Sequence, residues 1–102
     1  MTYVLVEWEH EEDDEPYQIY SELDGCRLET RKVEFYKNGL VFSYGGERGN
    51  ADVLSKIPFP EDLQSLTLEN KDMTARTISP SHFFEIWNQA QERPDGFMGM
   101  FF

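Results

Sequence analysis

His10 is followed by five consecutive carboxylates, Glu11, Glu12, Asp13, Asp14 and Glu15, and preceded by Glu9. An imidazole among so many oxygens is the kind of group that holds a hard divalent cation. Two carboxylates can also share acid and base duties when their environments differ. The single thiol, Cys26, could pair with His10 or His82 as a nucleophile with its base. Each of these chemistries fails on spacing. The acid run lacks EF-hand periodicity and the glycine on which such a loop turns. Its carboxylates sit side by side on one solvated loop, without the buried contrast that separates an acid from a base. No motif links Cys26 to a histidine, and the thiol reads as a small core residue. The glycine-rich stretch "YGGERGNAD" lacks the Gly-Lys-Ser/Thr ending of a phosphate-binding loop. The expectation is therefore a non-enzyme, with no catalytic, cofactor-binding or metal-ligating residues.

Charge is the stronger signal. The formal net charge is -11, and residues 1–25 carry nine acids and no base. One reading is a solubility surface. The other is a docking surface for a basic partner. Direct binding of nucleic acid requires a basic footprint, and the chain has none. No apolar run approaches the roughly 18 residues of a membrane span. The start, "MTYVLVEWEH", has no basic leader and too short an apolar stretch for an export signal. A lone cysteine makes no internal disulfide, which suits a reducing cytoplasm.

The elements that must position these residues follow from periodicity. A chain of 102 residues is expected to form one domain with one modest core. "YVLVEWE" alternates, with Val4, Val6 and Trp8 on one face and Tyr3, Leu5 and Glu7 on the other. The acidic loop spans 9–16. "YQIYSEL" and "CRLET" flank Asp24-Gly25, a two-residue hairpin signal that sets Leu23 opposite Cys26 and Glu22 opposite Arg27. Asn38-Gly39 is a second such signal, setting Phe35 opposite Phe42 and Val33 opposite Tyr44. The inward parity changes between Leu28 and Val33, which calls for a bulge near Arg31-Lys32. A glycine-rich loop at 45–50 follows, and "MTARTI" is a candidate fifth strand. The clearest helix, about 80–92, has Ser79 as N-cap and Pro80 at its first position. Phe83, Ile86, Trp87 and Ala90 form its apolar stripe. An apolar tail occupies 96–102. The expected fold is α+β: an antiparallel sheet of four to five strands in a meander, with a C-terminal helix packed on one face.

The segments "YVLVEWEH", "DEPYQIYSELD", "ETRKVEFYKNG" and "ISPSHFFEIW" resemble a family of small bacterial immunity-type domains. The resemblance covers most of residues 3–90 and rests on core and turn positions. It implies a cytoplasmic protein that binds and neutralises one toxin, as in contact-dependent growth inhibition. Toxins of this kind are often nucleases with basic clefts. The implied mechanism is occlusion of such a cleft by an acidic surface, with no direct nucleic-acid contact and no cofactor. The partner-binding residues expected on that basis are Glu9, Glu11, Glu12, Asp13, Asp14 and Glu15, extended by the strand residues Gln18, Tyr20 and Glu22. Tyr20 is the expected aromatic anchor. An alternative is a nucleic-acid mimic of the anti-restriction or anti-CRISPR type, and another is a small metal-dependent enzyme. A mimic should spread its charge along a face rather than concentrate it in one quarter of the chain.

Overall fold

A computed structural model describes residues 1–46 and 54–90, with the backbone alone of 91 and 97–98. Strands β1 (Thr2–Trp8), β2 (Gln18–Leu23), β3 (Glu29–Phe35) and β4 (Leu40–Gly45) run as an antiparallel meander. A short helix α1 (Gln64–Glu69) leads into β5 (Met73–Thr77), which pairs with the outer edge of β1. Helix α2 (Pro80–Gln91) then crosses the sheet, and β6 (Phe97–Met98) pairs with β4. The order across the sheet is β5-β1-β2-β3-β4-β6. The expected α+β architecture is present, and "MTARTI" does form the fifth strand. Most of the glycine-rich loop, residue 92 and the rest of the tail lie outside the described residues.

Helix α2 begins as its sequence dictates. Ser79 Oγ accepts the His82 backbone N–H at 3.1 Å, and Pro80 takes the first helical position. Its stripe of Phe83, Trp87 and Ala90 is buried against Tyr3, Leu5, Tyr20, Val33 and Val41 of the sheet. The opposite face is covered too. Val4, Val6 and Leu23 pack there with Phe59, Leu63, Leu66, Met73 and Ala75. Strand β1 is thus buried on both sides, which is why Val4 and Leu5 are both closed to solvent. Alternation in β1 sorts its residues between two cores rather than between core and water.

Both hairpin registers differ from expectation, and for one reason. In the β3–β4 turn, Gly39 N–H donates to the Tyr36 carbonyl and Tyr36 N–H to the Leu40 carbonyl. In the β2–β3 turn, Arg27 N–H donates to Asp24 and Asp24 N–H to Leu28 in the same way. These are three-residue loops closed by a left-handed residue, Gly39 (φ 92°) and Arg27 (φ 63°), and not two-residue turns. Phe35 therefore faces Val41 and Val33 faces Ser43. A one-residue slip moves a strand's side chains to the other face. Phe42 and Tyr44 accordingly leave the α2 side, where Val41 and Ser43 are buried instead.

In the first hairpin Leu23 pairs with Glu29, and Glu22 pairs with Arg31 rather than Arg27. Thr30 is the extra residue, so the bulge lies one position before the expected Arg31-Lys32. Cys26 is exposed at the turn, not in the core. Arg27 serves a different contact. Its Nε and Nη2 donate to the carbonyls of Phe59 and Pro60, each at 2.8 Å, while Phe59 N–H donates back to the Arg27 carbonyl. That clamp holds the covering segment over the second core and offsets the left-handed backbone of a non-glycine residue. Gly45 is constrained differently: a Cβ there would run into the Thr30 carbonyl of the neighbouring bulge.

Candidate protein-docking site

The acidic loop is an ordered excursion between β1 and β2. Trp8 N–H donates to the Tyr17 carbonyl at 2.9 Å and closes its base, and Glu9 N–H donates to Asp72 at 2.8 Å. Inside the loop, His10 Nδ1 accepts the Glu12 N–H at 3.1 Å while Nε2 reaches the Pro16 carbonyl at 2.8 Å. These contacts suit the tautomer that carries its proton on Nε2. The Trp8 ring meets that imidazole edge-on, with centroids 4.5 Å apart. His10 is therefore a brace for the loop. Among the described residues no group of three or more His, Cys, Asp or Glu side chains is arranged to hold a metal ion.

The brace leaves the carboxylates outside. Glu9, Glu11, Glu12, Asp13, Asp14 and Glu15 are all exposed, while Pro16 is buried beneath them. Lys37, in the β3–β4 turn, donates its ammonium to the His10 carbonyl and ties the loop to that hairpin. The loop thereby overhangs the face of β3 and β4 that α2 does not cover.

That face carries an aromatic row. Tyr36 meets Phe42 edge-on, with centroids at 5.5 Å, and Phe42 stacks with Tyr44 at 6.4 Å. A depression of about 410 Å³ runs between this row and the loop, lined by Asp13, Asp14, Tyr36, Asn38, Leu40 and Phe42. The Tyr36 hydroxyl donates to Glu34 at 3.1 Å. Burial, with Glu34, Glu15 and Asp14 nearby, pushes its pKa up to about 12, so it stays a neutral phenol. Lys32 lies beside Tyr44 (5.5 Å to the ring centroid) and within 3.5 Å of Glu29 and 3.8 Å of Glu34.

Of the expected strand extension, only Gln18 remains partly open. Tyr20 and Glu22 point toward α2 and are buried. The Tyr20 ring lies between Phe35 and His82, edge-on to each at 5.7 Å, so it anchors the core rather than a partner. Burial raises its hydroxyl pKa. Glu22 is bound on its own side of the protein: Arg31 Nη2 reaches it at 2.6 Å, Nε at 2.8 Å and Thr30 Oγ1 at 2.7 Å. Those bonds, led by Arg31, hold its carboxyl below the usual glutamate value against the opposing effect of burial. The reason is parity: even positions of β2 face α2, and the helix covers them.

Tyr36, Leu40, Phe42 and Tyr44 are the residues that sequence reasoning missed at this site. The alternation in "LVFSYG" was visible, but a two-residue turn assigned its aromatics to the core.

A domain-family model, described as a domain of unknown function (DUF6881), matches residues 2–92. The chain belongs to the DUF6881 family. Searches of curated proteins and of solved structures found no match. The family boundary takes in both cores, the acidic loop and the aromatic row, and ends one residue past α2.

Proposed function

We propose that this DUF6881 domain is an immunity-type inhibitor that binds and neutralises a bacterial toxin in the cytoplasm of the producing cell. The toxin is a nuclease whose basic cleft is occluded by the loop carboxylates. The observation carrying this reading is a set of six exposed carboxylates on a braced loop that contains no lysine or arginine of its own and is bordered by an aromatic row. Preorganised charge of this kind speeds encounter with a cationic surface and disfavours wrong partners. The aromatic row adds what charge alone lacks, a large rigid contact area with few rotamers to freeze.

The resemblance of "YVLVEWEH" and "ISPSHFFEIW" to immunity-type domains supports the same class of partner. Co-expression tests it. The nuclease toxin it neutralises, sought among the genes beside its own, is expected to arrest growth when expressed alone, and the chain to restore growth when co-expressed. Failure to restore growth, with the chain folded and abundant, refutes the reading.

A further inference from the structure

The depression beneath the acidic loop has a mixed lining that narrows what it can hold. Tyr36, Leu40 and Phe42 line it together with Asp13, Asp14 and Asn38. An apolar plug would strip water from two carboxylates and return nothing to them. A compact ammonium would satisfy the carboxylates, but it is more strongly hydrated and lacks the planar face that stacks on rings. We infer that this groove seats an arginine side chain of the partner, its guanidinium over the Tyr36 and Phe42 rings and its N–H groups turned to Asp13 and Asp14. The inference rests on the reading that the acidic face meets a basic protein.

The chain itself shows the arrangement on its other face. The Arg31 guanidinium carbon sits 4.8 Å from the Trp87 ring centroid and 5.3 Å from that of Phe83. There Glu22 takes two of its N–H groups. Ring on one side and carboxylate on the other suit a planar, weakly hydrated cation that forks its hydrogen bonds. Among the described residues the nearby cations are already engaged: Lys37 is held by the His10 carbonyl, and Lys32 lies among Glu29, Glu34 and Tyr44. The Tyr36 hydroxyl is engaged by Glu34, which leaves its ring, rather than its oxygen, to the groove.

The probe is N-acetyl-arginine amide, titrated into the isotope-labelled full chain and followed by amide chemical shifts. Saturable shifts at Asp13, Asp14, Tyr36, Asn38 and Phe42 are expected, with none from the citrulline analogue, which keeps the shape and loses the charge. Phe42→Leu, which keeps apolar volume and removes the ring, should weaken arginine binding about three- to five-fold, the worth of one exposed cation–π contact. Asp13→Asn with Asp14→Asn should weaken it at least as much and cannot disturb the core, since both residues are exposed. Equal binding of citrulline overturns the inference, as does an unchanged affinity in Phe42→Leu. Shifts confined to Glu9, Glu11 and Glu12 also overturn it while leaving the acidic loop as a docking surface. Failure of growth rescue, by contrast, refutes the toxin-inhibitor reading itself.

Discussion

Glu22 and Arg31 face each other across β2 and β3, 2.6 Å apart at their closest atoms, beneath a lid of aromatic rings. The guanidinium lies near the rings of Phe83, Phe84 and Trp87, so the ion pair joins α2 to the sheet. Tyr3 and Thr30 complete the hydrogen bonding of the carboxylate. Removing one partner leaves the other largely out of water, with the carboxylate side chain 7% and the guanidinium side chain 22% exposed. Glu22→Ala should therefore cost about 3 kcal/mol in denaturant unfolding. In a double-mutant cycle with Arg31→Ala the two losses should fall short of additive by about 1–3 kcal/mol. Additive losses would mean that the pair is not coupled.

The same carboxylate sets an acid limit. Its folded pKa is lowered, so the unfolded chain takes up that proton first as pH falls. The contribution of Glu22 is whole above about pH 4.5 and is lost as pH drops through the depressed folded value. Glu22→Gln should flatten the acid limb of the stability profile. An acid limb parallel to the parent's would place the titrating group elsewhere.

Tyr36 works at the other end of the pH scale. With its pKa raised to about 12, its contribution to stability is complete below pH 10 and is lost as pH rises through the folded value. Phenolate absorbance should show a late-titrating component, shared with the buried Tyr3 and Tyr20, whose amplitude falls by one tyrosine in Tyr36→Phe. An undiminished component would assign it to Tyr3 and Tyr20 alone.

His10 braces the acidic loop from within. His10→Ala removes the bridge between the Glu12 N–H and the Pro16 carbonyl. Amide exchange should accelerate at Glu12 with a change in global stability below about 1 kcal/mol, because the loss is local. Unfolding of the whole domain would mean that the loop supports the core.

The sequence made the architecture legible where one pattern decides an element. The Phe83–Trp87–Ala90 stripe and the Ser79-Pro80 start specify α2 without help from the rest of the chain. Turn chemistry was not decisive, since Asp24-Gly25 and Asn38-Gly39 suit both two- and three-residue loops. That single ambiguity sent Phe42 and Tyr44 to the wrong side and hid the aromatic half of the candidate docking site. Alternation in β2 marked Tyr20 and Glu22 as sharing a face, but not which face α2 would cover. The acidic loop was plain from composition. Its brace was not, because the His10 contacts depend on a backbone path that spacing does not reveal.

Association kinetics test the central claim most directly. Glu11, Glu12, Asp13 and Asp14 are changed together to their amides, which keeps shape and removes four exposed charges. The association rate with the proposed nuclease toxin domain is then measured against ionic strength. The account predicts association slowed by about ten-fold or more at low salt, with the gap closing as the Debye length shrinks to about 3 Å at 1 M. An association rate and salt dependence equal to the parent's would contradict it.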